Sequence, residues 1–150
     1  MNIRKATLQD AETLAANQVA MAMESEGMAL DPATVKQGTL AYLTDESLGT
    51  AYVAETDGRI VGSLLVTREW SDWRNAWVWW IQSVYVVPAF RGRGVYKALY
   101  SYLQQLVRER EDVRGLRLYV DKNNLSARSV YHRLGMTHEH YVTYEWMKDQ

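Results

Sequence analysis

The sequence predicts a mixed α/β fold in the order β-α-α-β-β-β-α-β-α-β, with a mostly antiparallel sheet, one parallel strand pair and helices on both faces. Three observations carry this. Val84-Tyr85-Val86-Val87 is a β-branched and aromatic run stopped by Pro88. After it, apolar residues recur at helical spacing through Val95, Leu99, Tyr102, Leu103 and Leu106. Asp57-Gly58, the preferred two-residue hairpin turn, separates two strand-like runs. The strand, turn, helix and strand between Ala76 and Val120 form a right-handed crossover, which makes those two strands parallel.

Asn2 to Ala6 reads as a first strand. Thr7-Leu8-Gln9-Asp10 is a capping box, with the acidic residue at the third helical position. The helix it opens carries Leu14, Ala15, Val19 and Ala22 on its inner face and decays at Ser25-Glu26-Gly27. Asp31-Pro32 opens a second helix, with Asp as cap and Pro at the first position, bearing Val35, Leu40 and Leu43 and ending near Asp45. Thr50 to Glu55 and Ile60 to Glu69 flank the hairpin turn, and Trp70 to Asn75 forms the next turn. Ala76 to Val87 is apolar at nearly every position, as expected of a strand covered on both faces. A helix from about Gly94 to Arg110 follows, its last turn carrying Arg108 and Arg110, then a strand from Gly115 to Val120. Asn124 caps a helix with Ala127, Val130, Tyr131 and Leu134 on one face, and Gly135 closes it. Val142, Tyr144 and Trp146 alternate in a final strand.

At 150 residues, with no repeat or linker, the chain reads as a single domain over 1–150. A net charge of −1 argues against nucleic acid as main partner. The absence of cysteine excludes disulfides, thiolate catalysis and thiolate metal sites, and it suits a cytoplasmic location. Neither a signal peptide nor a membrane-spanning run is present, so no membrane partner is expected. Five of the six Trp fall between Trp70 and Trp80, where core, dimer interface and acceptor pocket all remain open readings, and a homodimer is compatible with them.

Arg91-Gly92-Arg93-Gly94 lies where strand becomes helix. Such a turn gathers free backbone N–H groups at the positive end of the helix dipole, which makes an anion site from backbone. The Walker loop requires Gly-Lys-Ser/Thr, whereas the chain has Gly94-Val95-Tyr96-Lys97. The dinucleotide fingerprint requires a third glycine where Lys97 stands, and a turn early in a parallel sheet.

The turn resembles instead the acetyl-CoA motif of the GNAT N-acetyltransferase family, Gln/Arg-x-x-Gly-x-Gly/Ala. Arg91, Gly92, Arg93, Gly94 and Val95 fit it, and Tyr96 stands where the family has a small residue. Val84 to Pro88 matches the family's run into the motif. Asn124 to Met136 resembles its second motif, Asn-x-x-Ala-x-x-x-Tyr-x-x-x-Gly-Phe, with Met136 in place of Phe. The opening from Ile3 to Asp10 is similar too, so the likeness spans essentially the whole chain.

This resemblance implies a GNAT fold whose parallel strands splay to admit acetyl-CoA as cosubstrate, with no metal. The pantetheine arm would pair with backbone along Val84, Tyr85 and Val86. The pyrophosphate would rest on amides from Arg91, Gly92 and Arg93 through Gly94, Val95 and Tyr96. Two roles fit Asn124, helix cap and pantetheine contact. Tyr131 matches the family's proton donor to the departing thiolate, and it also fits as a core tyrosine on its helix face. The oxyanion would be held by a backbone N–H of the splayed strand, at Val86. The base stays open. The strand has no carboxylate at Trp80-Ile81-Gln82-Ser83, Gln82 would only orient a water, and Glu69 and Asp72 are the nearest acids in sequence. His138 and His140 lack a third ligand for a metal. The implied activity is direct acetyl transfer to a primary amine of a small molecule or peptide. The alternative is a non-catalytic acyl-CoA-binding module of the same fold.

Overall fold

The computed structural model describes residues 1–148. They divide into two units, Met1–Leu118 and a second beginning at Tyr119. The first unit contains β1 (Asn2–Lys5), a 3-10 turn (Leu8–Asp10), α1 (Ala11–Glu26), α2 (Pro32–Thr44), β2 (Thr50–Thr56) and β3 (Arg59–Ser71). It continues with β4 (Ala76–Val86), a second 3-10 turn (Pro88–Phe90), α3 (Val95–Glu109) and β5 (Val113–Leu118). The strands lie in the order β1-β2-β3-β4-β5. The first three pairings are antiparallel and β4 with β5 is parallel, as the hairpins and the crossover predict.

Local chemistry explains these boundaries. Asp57 and Gly58 both adopt left-handed φ, 51° and 72°, which matches a primed hairpin turn to the strand twist. Asp31 accepts from the Thr34 N–H at 3.3 Å, with Pro32 at the first helical position. Gly27, at φ 62°, closes α1. β5 begins two residues before the expected Gly115, because the Trp77 N–H takes the Asp112 carbonyl at 2.8 Å and pairing starts at Trp77 with Val113. In α2 the inner stripe is Val35, Thr39, Tyr42 and Leu43, while Leu40 is exposed. Thr39 enters this stripe because its hydroxyl donates to the Val35 carbonyl at 2.8 Å.

The sheet has two covered faces. On one, Tyr52 meets Tyr102 of α3 with ring centroids 5.7 Å apart, and Gly62 lies under Val95 and Leu99. A Cβ on Gly62 would come within 2.5 Å of Val95 Cγ1, so glycine is what lets α3 approach. On the other face Leu14, Ala51 and Val53 form a cluster joined by Tyr42, Leu43 and Leu65. Arg4 ties the edge together. Its guanidinium forks onto Asp10 at 2.8 and 3.1 Å and donates to Glu55 at 2.7 Å, while Asp10 accepts from the Thr7 N–H at 2.7 Å. Arg4 holds the Asp10 carboxyl below the usual range, against the opposing effect of burial.

In the second unit α4 (Leu125–Arg133) is capped by Asn124, which accepts from the Ala127 N–H at 3.1 Å, and Gly135 follows at φ 88°. The final strand expected at Val142, Tyr144 and Trp146 is not formed. No strand follows β5 among the described residues, and Tyr144 and Trp146 are 91% and 83% exposed. An alternating pattern makes a strand only when a ladder accepts it, and here no strand pairs with this segment. No helix among the described residues is long and apolar enough to cross a membrane.

Gly62→Ala should lower unfolding free energy in urea by about 1–3 kcal/mol through overpacking against Val95. Asp10→Asn should destabilise by about 1–3 kcal/mol at neutral pH by removing charged hydrogen bonds. Because the folded Asp10 pKa is depressed, its contribution is complete above the ordinary value of 3.8 and fades as pH falls through the folded value. Urea titrations should therefore separate wild type from Asp10→Asn at pH 7, and the two curves should converge at strongly acid pH.

Candidate active site

β4 departs from β5 and changes phase within a few residues. The parallel pairing ends at Ile81 with Leu118, and β4 runs on to Val86 beyond it. Against β3, Leu65 pairs with Gln82 but Ser63 pairs with Tyr85, so β4 holds one extra residue there. Ser83 sits in this bulge at φ 56°. Its carbonyl accepts from Gln18 of α1 at 3.0 Å.

The bulge reverses which side chains face which helix. Before it Trp80 and Gln82 share the α1 side; after it Tyr85 does, and its hydroxyl donates to Glu24 at the end of α1 at 3.2 Å. The Val87 N–H bonds the Val61 carbonyl at 2.9 Å, so by ladder alternation the N–H and C=O of Val86 turn away from β3 toward the side β5 has left. The Val86 carbonyl accepts from Arg91 Nε at 2.9 Å.

The turn that follows is shaped by two glycines. Gly92 and Gly94 stand at φ 74° and 77°, and no atom lies within 4 Å of a Cβ on either, so conformation rather than space requires glycine. Gly94 caps α3 without a side chain, leaving the first helical N–H groups directed outward at the positive end of the dipole. Arg91 is fixed by Glu24 at 2.7 Å and lies 5.5 Å over the Tyr85 ring. Its hydrogen bond holds the Glu24 carboxyl below the ordinary range. Tyr85 is raised, first by burial and then by the Glu24 charge. The ring of Tyr96 runs along the helix to stack on Tyr100 at 6.0 Å. Arg93 lies 5.2 Å over the Phe90 ring. Thus the peptide groups of Val84 and Val86, which the β3 ladder does not use, are followed along the chain by the turn from Arg91 to Tyr96.

The acids weighed in the sequence stand elsewhere. Glu69 pairs in register with Val78 and accepts from Arg117 at 2.7 Å. Eight strand positions separate Val78 from Val86, roughly 25 Å. Asp72 holds the next turn, accepting from the Trp73 N–H at 3.1 Å. Gln82 is half-buried beside the bulge. The Trp residues divide: Trp79 is 6% exposed, Trp73 is in solvent, and Trp70 meets Trp77 edge to face at 5.0 Å. In the second unit, Asn124 caps α4 and burial raises the Tyr131 pKa, so its phenol stays protonated well past neutral pH. His132 and His138 rings lie 4.9 Å apart, and no group of three or more metal-ligating side chains occurs among the described residues.

Sequence reading missed Gln18 and Glu24. Gln18 carried a signal: it lies four residues after Leu14 and four before Ala22, a polar residue in the inner stripe of α1. Glu24 carried none, since a carboxylate near a helix end is ordinary.

Residues 13–136 match the model of the acetyltransferase (GNAT) family. A possible acetyltransferase from Clostridium difficile 630 shares 37% identity over 97% of this chain and 96% of its own, with a TM-score of 0.91. A ribosomal-protein-alanine N-acetyltransferase from Brucella melitensis biovar Abortus 2308 (20% identity, 97% of each chain, TM-score 0.78) shares the fold. So does a predicted acetyltransferase with acetyl-CoA from Clostridium acetobutylicum (18%, 96% and 95%, 0.76). No curated protein matches the chain.

Ser83 tests the strain in the bulge. Ser83→Val should lower stability by about 1–2 kcal/mol, because a β-branched side chain fits left-handed φ poorly. Ser83→Gly should leave stability equal or higher, and chemical denaturation of the two variants reads the difference.

Proposed function

Because the chain belongs to the GNAT family of acetyltransferases, we propose that it moves the acetyl group of acetyl-CoA directly to a primary amine of a small molecule or peptide. The observation that supports this best is the β4 bulge running into the glycine turn, which offers backbone not used in the β3 ladder next to a helix start. In this reading the peptide groups of Val84 and Val86 take the pantetheine arm as an added strand. The amides from Arg91 to Tyr96 hold the pyrophosphate. By the family resemblance, Asn124 of the second unit is a further pantetheine contact.

The amine nitrogen attacks the thioester carbonyl, and the carbonyl oxygen gains negative charge that the Val86 N–H stabilises. Collapse forms the amide and breaks the carbon–sulfur bond. The departing thiolate takes the Tyr131 proton; burial makes the phenol hold that proton more tightly, so transfer relies on the strong basicity of the thiolate. The amine's proton leaves to solvent through water oriented by Gln82, since Glu69 is paired with Arg117 too far along β4 to take it. No acyl-enzyme is needed, and a chain without cysteine lacks the best nucleophile for one.

Thiol release from acetyl-CoA, measured against small amines, amino acids and peptides, tests the activity. Tyr131→Phe should lower kcat ~100-fold while leaving KM for acetyl-CoA within about threefold. An undiminished kcat at neutral pH removes Tyr131 from the role of acid. Tight binding of acetyl-CoA with no thiol released by any amine replaces the enzyme with an acyl-CoA-binding module.

A further inference from the structure

We propose that the first unit carries a second ligand site, for a small aromatic carboxylate, at the opposite end of β4 from the glycine turn. A cavity of ≈ 340 Å³ opens there on the α3 side of the sheet, lined by Ser47, Arg68, Trp77, Trp79 and Arg110. Its size falls in the range of small-molecule cavities. Trp79 is seven strand positions from Val86, more than about 20 Å along β4. The site is therefore separate from the turn and the splay.

The lining specifies the ligand. Arg68 and Arg110 bring two guanidinium groups. Arg110 is forked onto Asp112 at 3.0 and 3.0 Å, which offsets one charge. Arg68 donates to the Glu46 carbonyl at 2.8 Å and forms no ion pair among the described residues, so its charge is uncompensated. The cavity is thus cationic overall, even beside the negative end of α3, whose cap is Arg110 itself. Trp77 supplies the open aromatic wall, while Trp79 is buried behind it with Arg110 5.7 Å over its ring. Trp79 adds a second, independent mark: its indole N–H is buried and has no acceptor among the described residues. Buried donors are nearly always satisfied. A planar anion would stack on Trp77 and receive Arg68 on its carboxylate, and displacing Arg110 from the Trp79 ring would open the indole N–H to one of its oxygens.

Isothermal titration of the full chain with benzoate, using benzamide as neutral isostere, tests this. Saturable one-to-one binding of benzoate is expected, at least ~10-fold weaker for benzamide and for Arg68→Ala. Arg59→Ala, which removes the same charge at the β2–β3 hairpin, should change it less than about twofold. Saturating acetyl-CoA should not displace benzoate. In NMR spectra the Trp79 indole N–H signal, identified by its loss in Trp79→Phe, should shift on saturation. The proposal is overturned if benzoate does not bind, if Arg68→Ala and Arg59→Ala behave alike, or if acetyl-CoA competes. It is equally overturned if the Trp79 signal stays fixed. None of these readouts depends on acetyl transfer.

Discussion

One extra residue in β4 governs the geometry of the first unit. A strand has period two, so a single insertion exchanges the faces of everything that follows. Without the bulge at Ser83, Tyr85 would point to α3 and could not reach Glu24, and the peptide group of Val86 would be used within the ladder. The left-handed φ at Ser83 costs about 1–2 kcal/mol for a residue with a Cβ. The hydrogen bond from Gln18 to the Ser83 carbonyl holds the bulge in place, which makes α1 part of the device and not only a cover for the sheet.

The turn is stiffened from outside. Arg91 is held by the Glu24 carboxylate, by the Val86 carbonyl and by the Tyr85 ring, three contacts from two elements, α1 and β4. The pair is exposed, so its direct contribution to stability is small. Its effect is positional: the side chain that begins the glycine turn is anchored to the strand that precedes it. The close seat of α3 on Gly62 fixes the other side of the turn, because the helix start cannot rise from the sheet without losing the Val95 and Leu99 contacts.

Much of this was legible in the chain. Asp57-Gly58, Asp31-Pro32 and the two glycines before Val95 are local rules, in which the residue type itself determines φ or a cap, and each lies where the sequence put it. The parallel pair followed from the crossover. What could not be read depends on partners distant in sequence. Nothing in Gln82-Ser83-Val84 announces a bulge, since the residue that stabilises it lies 65 positions away. Thr39 rather than Leu40 faces inward because a hydroxyl can satisfy itself on its own helix. The Val142, Tyr144 and Trp146 alternation is a period without a ladder. Glu69 stood near the strand in sequence, and the strand's length then carried it away from the bulge.

The surface formed by β4 and the turn is made of peptide groups, and this has a consequence for how it is probed. Side-chain replacement at Val84, Val86 or Arg93 leaves every N–H and C=O in place, so alanine scanning would pass almost silently over the role proposed for this backbone. Backbone chemistry would expose it. An amide-to-ester exchange at Val86 deletes one hydrogen-bond donor while keeping the side chain, and it separates what the main chain does from what the side chains support. A surface of this kind also tolerates sequence drift, because the information it holds lies in φ values and in one inserted residue rather than in the identity of most side chains along it.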